Sequence, residues 1–275
     1  MSRAVEQGTP EPAVRRRESA PWAFAGGASV GLLGGLVGLG GAEFRLPLLL
    51  SVFGFAALAA VIVNKAMSLV VVAVAVPARL AAVPLAEVTA EWAVVLNLLA
   101  GSLVGAWLGA SWATRMATAT LYKVLSALLV FLAVVFAAER VGPLHPLVLA
   151  EPVQLVAGVV AGFGIGVVAA LMGVAGGELL IPTLVLLFAV DTKLAGSLSL
   201  LVSLPTMLVA FFRYSRDQAF AVLAQNRRFV VAMAAGSLVG SVVGGLLLGV
   251  VSESLLVPLL VALLLVSAVK VWRHE

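Results

Sequence analysis

Ten apolar stretches divide this chain, at approximately 22–41, 45–60, 62–82, 93–113, 121–138, 153–174, 179–190, 195–214, 229–250 and 255–271. Only short polar connections separate them. An open sheet cannot satisfy its backbone in lipid, so stretches of this apolarity are read as membrane helices. A full span takes about 20 apolar residues. Eight of the ten approach that length. The second and seventh, 45–60 and 179–190, are short and follow glycine-rich breaks, so they are expected to be half-helices or strongly tilted pieces.

Composition points the same way. Of 275 residues, 63% are hydrophobic and only 11% are charged, whereas a soluble domain carries about 25% charged residues. The mean hydropathy is +1.18. The bilayer must serve as solvent for most side chains. The 27 glycines and 12 prolines suit membrane helices, where small residues allow close packing and proline marks breaks. With no cysteine, disulfides, thiolate metal sites and cysteine nucleophiles are excluded. The net charge of +4 sits on loops and ends, which reflects topology and not nucleic-acid binding. Residues 1–21 read as a polar cytoplasmic tail followed by an uncleaved first span.

Charge in the connections sets the expected orientation. Arg3, Arg15, Arg16 and Arg17 lie in the tail, Arg115 and Lys123 in 114–123, and Arg213, Arg216, Arg227 and Arg228 in 213–228. Lys270 and Arg273 close the chain. The connections 84–91, 139–151 and 252–254 carry no such excess. By the positive-inside rule the first set is cytoplasmic, including both termini, and the second is external. The expected location is a bacterial-type inner membrane.

A shift of 135 positions superimposes the two halves without a gap. Gly27 falls on Gly162, Gly31 on Gly166, Gly38 on Gly173, Gly41 on Gly176, Glu43 on Glu178 and Pro47 on Pro182. Residues 100–105 repeat identically at 235–240, and Gly109 meets Gly244. The halves are 22–140 and 153–272. The 84–91 connection reads as external and its counterpart near 219–226 as cytoplasmic. Each half therefore holds an odd number of crossings. The expected fold is an all-α polytopic membrane protein of two inverted repeats, each of about five helical segments, a transporter signature.

The chemistry is expected at the two breaks, 38–47 and 173–182. Glycines there let the backbone unwind, and a helix that restarts inside the membrane presents N–H groups and a positive dipole end to an anion. Gly40, Gly41, Gly176 and Gly177 are therefore candidate substrate contacts, with tight inter-helix turns as the plainer reading. Glu43 and Glu178 are carboxylates within membrane segments. They are candidates for a coupling proton or sodium ion, or helix-start residues suited to the local dipole. Lys65 either snorkels from near a helix end or acts as counter-charge to the substrate. Asn64 falls on Ser199 and Ser68 on Ser203. With Ser197, Ser199 and Ser203, Asn64 forms a polar set able to donate to oxyanions or to bond between helices. Arg79 and Arg213 read as interfacial anchors. Glycines at four-residue spacing (101, 105, 109; 236, 240, 244; 27, 31; 158, 162, 166) mark close helix packing, within the chain or in a homodimer.

The doubled glycine break, apolar stretch and proline resemble the TauE/SafE family of sulfite and organosulfonate exporters. Gly176-Gly177-Glu178-Leu179-Leu180-Ile181-Pro182-Thr183 carries the resemblance most fully. In the first half Ala42 and Arg45 depart from it. The resemblance spans about residues 22–272. It implies secondary transport of a small sulfur-containing or carboxylate anion, coupled to an ion gradient or the membrane potential. The alternative is a cation transporter or channel with Glu43 and Glu178 as ligands. Enzyme chemistry has little to use. The histidines are His145 and His274, neither H-E-x-x-H nor G-x-S-x-G occurs, and no cofactor is called for.

Overall fold

A computed structural model describes residues 20–37, 41–82, 85–138, 146–247 and 253–273. Gly38, Gly40, His145, His274 and the tail arginines lie outside the described residues, as does the side chain of Arg79.

Among the described residues there are helices and no strands. They are α1 (Ala20–Val37), α2 (Ala42–Ser51), α3 (Ala57–Ala82), α4 (Leu85–Ala90), α5 (Trp92–Ala113), α6 (Thr118–Ala138), α7 (Glu151–Met172), α8 (Gly177–Phe188), α9 (Thr192–Tyr214), α10 (Val222–Gln225), α11 (Arg227–Leu246) and α12 (Glu253–Trp272), with a 3-10 turn at Gln218–Ala221. Six are long and apolar enough to cross a membrane: α3 over Ala57–Pro77, α5, α6, α7, α9 and α11. Their outward faces are apolar as well. Val74, Val134, Val160, Phe212 and Val242 are all exposed, which only lipid tolerates on this scale. Trp22, Trp92, Trp112 and Trp272 stand exposed near helix ends, as interfacial tryptophans do. The chain is a multi-pass membrane protein.

The two short segments are half-helices. The 10 residues of α2 and 12 of α8 rise roughly 15 and 18 Å, about half the hydrocarbon core. The sequence places the second segment at 45–60. The chain instead stops at Ser51, turns through Gly54 at φ 74°, and begins α3 at Ala57. Residues 57–60 thus belong to α3. The left-handed turn that glycine adopts freely explains the stop. Both half-helices fold back on the preceding long helix. Leu147 N–H donates to Leu186 O at 2.8 Å, and the Gln154 amide bonds Leu187 O. The end of α8 therefore lies beside the start of α7. In the first half, Gly26 faces Leu48 and Phe53, so the end of α2 lies beside the start of α1.

The glycine strips are where the halves interlock. A Cβ on Gly27 or Gly31 would overlap the carbonyl oxygen of Met233 or Ser237. One on Gly236, Gly240 or Gly244 would overlap that of Phe24, Ala28 or Leu32. The second interface repeats the first. Gly101 and Gly105 abut the carbonyls of Val159 and Phe163, Gly109 packs on Val167, and Gly162 and Gly166 abut the carbonyls of Leu98 and Ser102. The 135-residue shift that aligns the sequence thus also aligns the packing of α1 on α11 with that of α7 on α5. Each half's first helix lies on the other half's glycine helix. These strips are covered from within the chain, so none of them is open to a second copy.

Gly105→Ala and Gly240→Ala are expected to lower stability by about 1–3 kcal/mol each through overpacking. Gly164→Ala and Gly245→Ala, where an added Cβ meets nothing within 4 Å, should leave it unchanged or slightly raised, since alanine favours helix. Thermal unfolding in detergent reads both.

Candidate functional site

The site begins with a helix end that has no water. α7 closes in a Schellman turn. Val174 N–H donates to Ala169 O and Gly173 N–H to Ala170 O, both at 3.1 Å, with Gly173 at φ 71°. The end is buried, and side chains from α3 and α9 serve its carbonyls. Lys65 Nζ donates to Ala169 O at 2.8 Å and Val174 O at 2.6 Å. Asn64 Nδ2 donates to Met172 O at 3.0 Å, and Tyr214 Oη donates to Ala170 O at 3.0 Å. Lys65 is 0% exposed, so it does not snorkel. Its ammonium instead caps the negative end of the α7 dipole.

The half-helices start opposite this end. Gly41 at φ 73° precedes α2 and Gly176 at φ 87° precedes α8, and no side chain caps either helix. Glu43 and Glu178 occupy the two first turns. They are 0% and 2% exposed and are the buried carboxylates among the described residues. Their carboxyl groups lie within hydrogen-bonding reach of each other. No protein donor meets any of their four oxygens at full hydrogen-bond geometry, and the donors that approach them are the backbone N–H groups of Glu43, Gly176 and Glu178. As two carboxylates they can only repel. A hydrogen bond between them requires a proton. The residues that coincide in the sequence repeat thus meet in the fold.

Arg45 has the largest role that sequence reasoning missed. It is 0% exposed. Its Nε donates to Asn64 Oδ1 at 2.8 Å, Nη2 to Ser68 Oγ at 2.8 Å and Nη1 to Ser237 Oγ at 3.1 Å. Asn64 Nδ2 also donates to Ala42 O at 3.0 Å. Arginine thereby ties α2 to α3 and, across the two halves, to α11. The one signal in the sequence was its departure from the repeat, since Leu180 stands at the matching position.

The second half has the same polar frame without the arginine. Ser199, matching Asn64, turns its hydroxyl to Gly196 O at 2.9 Å. Ser102, matching Ser237, bonds Thr206 Oγ1 at 2.8 Å. Ser203, matching Ser68, has a buried hydroxyl with no partner, as does Ser197. There is room here too. The nearest atom to a Cβ on Gly177 would be Ser199 Oγ at 4.0 Å, whereas its counterpart Ala42 already carries a side chain. The expected polar set is therefore split. Asn64 and Lys65 are committed to backbone carbonyls, while Ser197 and Ser203 retain free donors.

Arg213 donates through Nε to Ser111 Oγ at 2.8 Å and lies 5.9 Å from the Trp107 ring centre. A cleft of about 550 Å³ between α1, α2 and α12, lined by Val30, Phe44, Leu48 and Leu263, contains none of the expected site residues. Among the described residues, no group of three or more acidic or histidine side chains could hold a metal ion.

Long apolar helices, paired half-helices and buried charges between them define the architecture of a membrane transporter. The family described as Sulfite exporter TauE/SafE matches residues 1–136 and 145–275, and the chain belongs to that family. It is a membrane transporter of the sulfite and organosulfonate type. Comparison with curated proteins and with solved structures finds no match.

Asn64→Ala leaves the Arg45 Nε without its acceptor and removes a side-chain donor from the carbonyls of Ala42 and Met172. It should lower thermal stability in detergent by about 3 kcal/mol. Unchanged stability would mean that the Arg45 network does not hold α2 in place.

Proposed function

We propose that this protein is a secondary transporter that moves a small anion across the inner membrane by alternating access. The substrate class is sulfite, an organosulfonate, or a related sulfur-containing or carboxylate anion. The observation that carries this reading is the uncapped start of α8 inside the protein, where Gly177 faces the Ser199 hydroxyl on a helix that also carries the unpartnered hydroxyls of Ser197 and Ser203. A helix N-terminus with free hydroxyl donors suits an oxyanion. The substrate is assigned to Gly176, Gly177, Ser197, Ser199 and Ser203. Arg45 and Lys65 supply positive potential from the surrounding frame.

Helix directions support two halves of opposite orientation. Successive contacts between the glycine helices run the same way along both members, so α1 is parallel to α11 and α5 to α7. Ser102 meets Thr206 and Ser111 meets Arg213, so α9 is parallel to α5. The chain reverses between α9 and α11 through residues 215–226. α1 is then antiparallel to α7, its counterpart.

With α1–α2 and α7–α8 as returning hairpins, 84–91 is reached by one crossing and the chain makes six in all, by α3, α5, α6, α9, α11 and α12. The Arg- and Lys-rich connections then remain cytoplasmic, as do both termini, in agreement with the positive-inside rule. The two hairpins enter from opposite faces. Rocking of one half against the other would expose their tips alternately.

The facing carboxyls favour one rival reading, a cation transporter liganded by Glu43 and Glu178. The test is ligand-induced thermal stabilisation of the purified protein with sulfite, sulfate, thiosulfate, taurine, sulfoacetate and simple carboxylates against inorganic cations. Ser203→Ala should not destabilise the ligand-free protein, because its hydroxyl has no partner to lose. It should weaken anion binding about 10-fold or more, the worth of one hydrogen bond to a charged group. Stabilisation by cations alone, lost in Glu178→Gln, would overturn the anion reading.

A further inference from the structure

The two buried carboxyls are not needed to explain anion binding, and by charge they oppose it. Glu43 and Glu178 are unpartnered, 0% and 2% exposed, and aimed at each other from the first turns of α2 and α8. The charged groups facing them are few. Arg45, on α2, acts on Glu43, and Lys65, on α3, acts on Glu178. Neither cation bonds a carboxylate. Arg45 donates to Asn64, Ser68 and Ser237, and Lys65 to two carbonyls. From the other packed elements, α1 has no titratable side chain. Those of α7, α9 and α12 lie in their terminal turns: Glu151 on α7; Asp191, its N-cap, with Lys193, Arg213 and Tyr214 on α9; Glu253 and Lys270 on α12.

Charge bookkeeping then constrains what can move. Counted with every group ionised, Arg45 and Lys65 bring two positive charges into a water-poor interior, and the carboxyl pair brings two negative ones. The empty, fully ionised site is neutral. One proton shared between the carboxyls leaves one positive charge in excess, which one anionic group on a substrate neutralises. An anion entering without a proton would leave a net negative charge in low dielectric, where the cost is large. Loss of the proton restores repulsion between the two first turns and separates them. The pair therefore reports its charge to the hairpin tips that form the substrate site.

We infer that Glu43 and Glu178 form one shared-proton site between the hairpin tips, and that one proton travels with one negative charge of the substrate, making transport of a monovalent anion electroneutral. This rests on the anion-transport reading for its flux and on the carboxyl geometry alone for its proton.

The test has two arms, both on the full chain in lipid. In the first, infrared spectroscopy of the wild type at neutral pH, in potassium buffer and again in sodium buffer, should give the carbonyl stretch of one protonated carboxylic acid, unaffected by sodium. That band should vanish in both Glu43→Gln and Glu178→Gln, because the new amide donates to the remaining carboxylate and replaces the proton. No such band in the wild type, or its loss on adding sodium, would overturn the inference.

In the second arm, proteoliposomes take up labelled methanesulfonate, a monovalent anion whose sulfonate stays ionised at neutral pH. A pH gradient at clamped zero potential should drive uphill accumulation, and a potential at equal pH should not. Accumulation that follows the potential and ignores pH would overturn the coupling. An infrared band without any anion flux would instead count against the anion reading and leave the shared proton standing.

Discussion

A bare peptide group inside a membrane costs several kcal/mol, and the irregular parts of this protein are arranged around that cost. Two half-helices require two long helices to end or turn within the protein. At α7 the solution is visible atom by atom: a Schellman turn, then the ammonium of Lys65, the amide of Asn64 and the hydroxyl of Tyr214 on the remaining carbonyls. Asn64 also holds Ala42 O at the start of α2 and receives Arg45. The groups that satisfy one hairpin tip thus position the other.

The halves are alike in packing and unlike in charge. Glycine contacts repeat at the same 135-residue shift in both interfaces, so the scaffold is nearly two-fold. Both buried cations come from the first half, where the second has Leu180 and Leu200. The result is one tip tied down by Arg45 and another with space at Gly177, next to an α9 that carries unpartnered hydroxyls at Ser197 and Ser203. A nearly repeated scaffold thus surrounds a polar interior whose two ends differ.

The features legible in the sequence were those written in repetition. The shift that pairs Glu43 with Glu178 also marked the breaks, the glycine strips and the half-length segments, and a positive φ at Gly41 and Gly176 fits the glycines placed there. The direction of α2 and α8 was not legible. A returning half-helix and a tilted span are both apolar on every side, because lipid and protein interior look alike to a side chain. The end of α2 was misplaced for the same reason, since Val52, Phe53 and Phe55 are as apolar as the helices they separate. The roles of Arg45 and Lys65 depend on partners 192 and 104 positions away, which neither spacing nor composition encodes. The trace of Arg45 was its departure from the repeat, and that of Lys65 was a charge within an apolar helix.

The most direct test is to locate a bound anion. Selenite is a heavier analogue of sulfite, and its anomalous scattering marks its position in crystals of the protein grown from lipid. The account predicts one selenium peak at the first turn of α8, within hydrogen-bonding distance of Ser199 and Ser203. A peak only at surface cations such as Arg216 or Arg227, with the interior empty, would contradict it.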